Sequence, residues 1–129
     1  CVGRRIAETL TERGIPFVVA DQSRELVERL RKQGLAAVCG DASDPAVLIQ
    51  AHIARASMLV VATSETFNVR KINTIARMLN PSIETVVRTH SEEEARLLEQ
   101  EKIGKIFFGE GELAKSISRH ALERFGRNP

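Results

Sequence analysis

Two periods of apolar residues alternate along the chain. Short continuous apolar runs fall at Phe17–Ala20, Ala36–Cys39, Met58–Ala62, Thr85–Val87 and Ile106–Phe108. A strand with one face in water alternates apolar with polar residues. A continuous run signals a strand covered on both faces, as in a parallel sheet. Between the runs lie stripes at helical spacing: Val2, Ile6 and Leu10; Leu26, Val27 and Leu30; Val47, Leu48 and Ala51. The series continues with Val69, Ile72, Ile75, Ala76 and Leu79, then Ala95, Leu98 and Ile103, then Leu113, Ile117, Ala121 and Phe125. Successive runs begin about 20 to 27 residues apart, the spacing of a strand–helix–strand unit.

The punctuation agrees with this reading. Gly14, Gly34 and Gly104 fall where helices should stop, as left-handed C-terminal caps. Ser23, Asp44 and Ser91 sit at N-cap positions. Pro45 follows at a first helical position, and Glu94 completes a capping box with Ser91. Asn80-Pro81 ends the fourth helix. The pattern predicts one α/β domain over residues 1–129, a Rossmann-like doubly wound parallel sheet with helices on both faces. Such a fold opens on a strand, whereas this pattern opens on a helix. The first strand is therefore expected upstream of Cys1. The strand order 3-2-1-4-5-6 would place it between the Phe17 and Met58 strands, leaving a gap there.

Composition narrows the function. The chain has 129 residues, 43% of them hydrophobic and 28% charged, ordinary values for a globular domain. No apolar run approaches the ~20 residues of a membrane helix, and no signal-peptide pattern opens the chain. Two cysteines rule out a disulfide framework and suggest a reducing compartment. The formal charge is only +2, with acids and bases interleaved. A nucleic-acid partner is therefore not expected, and the absence of Trp and Tyr leaves little for base stacking.

In open α/β sheets, ligands bind beyond the carboxyl ends of the strands. The segments after the five runs are Asp21-Gln22-Ser23, Gly40-Asp41-Ala42-Ser43, Thr63-Ser64-Glu65, Arg88-Thr89-His90 and Gly109-Glu110-Gly111. Together they read as one ligand cleft. Asp21 is the sharpest residue. A carboxylate at that strand end can accept both ribose hydroxyls of an adenosine and repel a 2′-phosphate; the alternative is a turn or cap. It lies 18 residues after Gly3, near the ~20 of the dinucleotide fingerprint. Gly3 then reads as the third fingerprint glycine, and Cys1 as a loop filler.

Other positions stay open. Asp41 either borders the adenine or caps the next helix. Arg88 either pairs with a phosphate or with Glu92 or Glu93. Thr63 and Ser64 either donate to ribose and phosphate or cap a helix. His52 is expected mid-helix and His120 in the last helix, leaving His90 as the histidine at a strand end. No metal-ligand spacing, catalytic triad or P-loop occurs. The nucleotide fold uses the whole chain and leaves no substrate domain, so the nucleotide reads as a signal rather than a reactant.

The ordered set Gly3, Phe17-Val-Val-Ala-Asp21, Val38-Cys-Gly-Asp41-Ala-Ser43, Leu59-Val-Val-Ala-Thr63, Val87-Arg88-Thr-His90 and Phe108-Gly109-Glu110 resembles the RCK N-terminal (TrkA-N) domain family. The nearest likeness is to the C-terminal regulatory domain of Kef-type, YbaL-like monovalent cation:proton antiporters. The resemblance implies a non-enzymatic regulatory fragment of a larger membrane transporter, on the cytoplasmic face of the bacterial inner membrane. It would bind NAD(H) or AMP, form a homodimer and gate a transmembrane antiporter domain of the same polypeptide, for potassium efflux or cation:proton exchange. Carried over, the nucleotide residues are Gly3, Asp21, Gln22, Ser23, Asp41, Ala42, Thr63, Ser64, Arg88 and Glu110. A dimer surface is expected on the fourth and fifth helices, at Ile72, Ile75 and Leu79, although these could simply pack on the sheet. The last helix is expected to cross to the partner. The other readings are the NAD-binding half of a small dehydrogenase or epimerase, against which the lack of any Tyr weighs, and a nucleotide-free interaction domain, against which Asp21 weighs.

Overall fold

The computed structural model describes residues 2–21, 23–39, 44–62, 66–89, 91–108 and 113–125. In chain order the elements are α1 (Val2–Glu12), β1 (Phe17–Asp21), α2 (Arg24–Lys32), β2 (Ala37–Cys39), α3 (Pro45–Gln50), a 3-10 turn (Ile53–Arg55) and β3 (Met58–Ala62). They continue with α4 (Thr66–Leu79), β4 (Glu84–Thr89), α5 (Glu92–Gln100), β5 (Lys105–Phe108) and α6 (Leu113–Phe125). The five strands form one sheet in the order β2-β1-β3-β4-β5, and every neighbouring pair is parallel.

Alternation along each strand explains why the runs are apolar throughout. Phe17 and Val19 face one side and join α1, α2 and α6 through Ile6, Leu10, Leu26, Leu30 and Ala121. Val18 and Ala20 face the other and join α3, α4 and α5 through Leu48, Val69, Ile72 and Leu98. Both faces are thus covered, which is the doubly wound arrangement.

The N-caps form as predicted. The Leu26 N–H donates to Ser23 Oγ, the Ala46 N–H to Asp44 Oδ1 and the Glu94 N–H to Ser91 Oγ. Gly14 and Gly34 take the left-handed conformation at φ 68° and 81°.

Several expectations need correction. No gap separates the Phe17 and Met58 strands. They pair directly from Phe17↔Met58 to Asp21↔Ala62. Gly104 is not a left-handed cap; Lys102 takes that conformation, at φ 56°. Gly104 is required instead because a Cβ there would overlap the carbonyl oxygen of Thr85. The capping box at Ser91 is only half made: the Ser91 N–H donates to Thr89 Oγ1, and Glu94 Oε1 is buried with no hydrogen-bond partner.

His52 is not mid-helix. It ends the α3 segment in a left-handed turn at φ 61° and is exposed. Ile72 is fully buried, and the half-buried Ile75 and Leu79 pack against the same core. α6 packs on α1 and β5. There Glu84 of β4 accepts from Arg124 Nε at 2.8 Å and lies 3.0 Å from His120 Nε2.

Candidate functional site

Parallel pairing brings the carboxyl ends of all five strands to one edge. The register there is specific. Asp21 pairs with Ala62 in β3, and Val61 pairs with Val87 in β4. Asp21, Ala62 and Arg88 therefore stand on one row across three adjacent strands. Strand spacing puts the outer two about 10 Å apart.

Parity fixes the side on which they stand. Asp21 follows Phe17 and Val19, and Arg88 follows Val86, all on the face covered by α1, α2 and α6. Both side chains thus share that face, with the small Ala62 between them. β1 leaves toward β2 on one side and meets β3 on the other. The row therefore crosses the topological switch point, where doubly wound sheets open a crevice.

Asp21 is 7% exposed, low for a carboxylate. Its Oδ1 accepts the Ser23 N–H at 2.8 Å. That bond fixes the carboxylate in a turn, which bears out the alternative reading of Asp21 as a turn residue. Among the described residues nothing donates to Oδ2. No positive side chain pairs with this acid among the described residues, so its burial is not explained by an ion pair.

Arg88 carries the complementary signal. Its Nε is buried and, among the described residues, has no hydrogen-bond partner. Neither Glu92 nor Glu93 forms an ion pair with it among the described residues. A buried unsatisfied donor costs about 1–3 kcal/mol, so a guanidinium held this way at a crevice is placed for an acceptor that arrives with a ligand. The sequence left Arg88 open between a phosphate and those two acids, and the acids are not its partners.

α1 contributes by direction. It runs antiparallel to β1, so its N-terminal turn, including Gly3, lies at the same sheet edge as Asp21. A helix N-terminus offers free N–H groups and a positive dipole end to an anion. Ser23 is engaged as the cap of α2. Gln22, Asp41, Ala42, Thr63, Ser64 and Glu110, together with His90 and Cys1, lie outside the described residues.

Among the described residues no group of three His, Cys, Asp or Glu could hold a metal ion. No described helix is long and apolar enough to cross a membrane. Sequence reasoning missed Asn80, read only as a helix terminator. Its buried side-chain amide donates to the Ile53 and Ala56 carbonyls at 2.9 and 2.7 Å and pins the 3-10 turn beneath α4. An Asn before Pro signals a turn, and nothing in the local pattern marks that long-range bond.

Comparison with known proteins gives a consistent picture. The family model for the TrkA-N domain matches residues 1–108. YbaL of Escherichia coli (strain K12), named a candidate cation/proton antiporter, is 31% identical over 116 residues; the match covers 90% of this chain and 21% of that protein. This chain thus spans about a fifth of that relative's length. The crystal structure of the TrkA-N domain of inner membrane protein ybaL from Escherichia coli superposes with a TM-score of 0.66 at 30% identity, over 96% of this chain and 89% of that one. A GsuK channel bound to NAD shares the fold at TM-score 0.58 and 20% identity, over 81% of this chain and 19% of that one.

Proposed function

Because the chain belongs to the TrkA-N domain family, we propose that it is a nucleotide-binding regulatory domain of a bacterial antiporter exchanging potassium or another monovalent cation for protons. The observation that carries this reading is the row of Asp21, Ala62 and Arg88 at the switch point, with a helix N-terminus at the same edge.

The ligand is NAD(H) or AMP. The Asp21 carboxylate, oriented by the Ser23 N–H, accepts the two ribose hydroxyls and disfavours a 2′-phosphate by charge repulsion. The phosphate sits over Ala62, between the α1 N-terminus at Gly3 and the Arg88 guanidinium. By the family's pattern Gln22 and Ser23 accompany the ribose, Asp41 and Ala42 the adenine, Thr63 and Ser64 the ribose and phosphate, and Glu110 is the acidic residue after the last strand. That a GsuK channel carries NAD in the same fold supports the ligand class. The similarity to YbaL supports the transporter context.

The domain faces the cytoplasm beneath the inner membrane, joined to a transmembrane antiporter domain of the same polypeptide, and acts as a homodimer. Met78 on α4 and Leu97 on α5 are the exposed large apolar residues left on those helices for a second copy, at 77% and 42% exposure. Regulation requires a difference in affinity. A nucleotide biases transport only by the amount it prefers one conformation, typically about 1–3 kcal/mol.

The experiment is cation:proton exchange by the full-length transporter in vesicles, with and without NADH or AMP on the domain side. The expected result is a rate change of about fivefold or more, abolished by Asp21→Ala. An exchange rate indifferent to both nucleotides overturns the regulatory reading.

A further inference from the structure

The edge of the sheet opposite the crevice carries a second concavity. Two contiguous hollows of about 430 and 410 Å³ share Gly34, Leu35, Ala36, Ala51 and His52. Each falls in the ~300–1,000 Å³ range of small-molecule sites. They lie where β1, β2 and β3 begin, so the length of β1 separates them from Asp21. That is about 13 Å for five residues.

The body of the groove is apolar: Ile15, Phe17, Leu35 and Ala56 line it. Beside the neutral Thr11 and Gln50, its ionisable side chains are all basic. Arg31, Arg55 and His52 stand at the rim, and no Asp or Glu lines either hollow. In a chain with 17 acids against 19 Lys and Arg, that is a local departure. Neither arginine forms an ion pair among the described residues. Arg31 is already oriented: its Nε donates to the Ala37 carbonyl at 2.8 Å. The rest of that guanidinium makes no other bond among the described residues. His52 reaches the rim through the left-handed turn after α3, and it lines both hollows. A low-dielectric cleft walled by one sign of charge concentrates the opposite charge.

We propose that this groove is a second ligand site, distinct from the nucleotide crevice, that takes a small organic anion with an apolar body. The apolar part lies along Ile15, Phe17 and Leu35, and the carboxylate or sulfonate meets Arg55 and His52 of the same hollow.

The test uses anilinonaphthalene sulfonate, whose fluorescence rises on apolar burial, titrated into the full chain with decanoate, 1-decanol, inorganic phosphate and NADH as competitors. The expected result is one saturable site per chain. Decanoate displaces the dye, whereas decanol and phosphate need about tenfold higher concentration or fail, because each lacks one half of the ligand. Arg55→Ala, an exposed change, weakens the dye about tenfold, whereas Asp21→Ala leaves it unchanged. Displacement by NADH together with loss in Asp21→Ala would assign the dye to the nucleotide crevice and overturn the proposal. Non-saturable binding, or decanol matching decanoate, overturns it as well.

Discussion

Asp21 and Arg88 occupy one row of the sheet, separated only by Ala62 of the intervening strand, with both side chains on the face that α1 covers. Oδ1 of the acid accepts the Ser23 N–H, whereas Arg88 Nε is buried with no partner among the described residues. The two residues therefore respond differently to removal. Arg88→Met keeps the length and apolar stem but deletes an unsatisfied buried donor. The ligand-free domain is expected to melt at the same temperature or slightly higher, by up to about 1 kcal/mol of stability. Nucleotide affinity falls by about 1–3 kcal/mol. Melting curves with and without NADH check both arms; a large loss of stability in the ligand-free domain would show that Arg88 is structural.

Asn80→Ala leaves the Ala56 carbonyl without its donor and the Ile53 carbonyl with only the Ala56 N–H. A cost of about 1–3 kcal/mol is expected, since the lost partner leaves a desolvated acceptor. Urea denaturation measures it. Asn80→Asp is expected to be at least as harmful, because a carboxylate repels the two carbonyls.

Gly104→Ala places a methyl against the Thr85 carbonyl in the neighbouring strand. The obstacle is backbone, so β4 or the α5–β5 turn must shift. A loss of about 1–3 kcal/mol is expected. Gly14→Ala serves as the comparison: nothing lies within 4 Å of its Cβ, and its cost comes from the φ of 68° alone.

Glu84→Gln removes the negative charge, and one of the two acceptor oxygens, that hold α6 through Arg124 and His120. Arg124 is 62% exposed, so its share is small, and a total of about 0.5–1 kcal/mol is expected at low salt. The difference from the parent should shrink in 1 M salt, where surface charges are screened within about 3 Å. A difference independent of salt would assign the effect to packing.

Much of this molecule was legible in its amino acids, for reasons that also explain what was not. The continuous runs at Phe17 and Met58 announced strands covered on both sides, because burial of both faces is written in side chains. Which strand lies beside which is settled by backbone bonds, and no residue marks them; hence the gap expected between those two strands is absent. The helical stripe Val47, Leu48, Ala51 carried the expected helix through His52, yet the chain turns left-handed there, a conformation His tolerates better than most. Ile72, Ile75 and Leu79 suggested surplus apolar surface. With α3 only six residues long, α4 must cover much of that side of the sheet and spends them there. Asp21 stood out as a candidate because a carboxylate at the end of a buried run is chemically out of place. Arg88 was a candidate as well, but its partner stayed open, since the lack of an acidic partner among the described residues is a property of packing alone.

The most direct test is calorimetric titration of the domain with NADH, AMP and ATP, repeated on Asp21→Ala. The account predicts saturable binding of NADH or AMP, weakened by about 1–3 kcal/mol in the variant, whose fold persists. Equal affinity in both proteins, or no heat from any nucleotide, would contradict it.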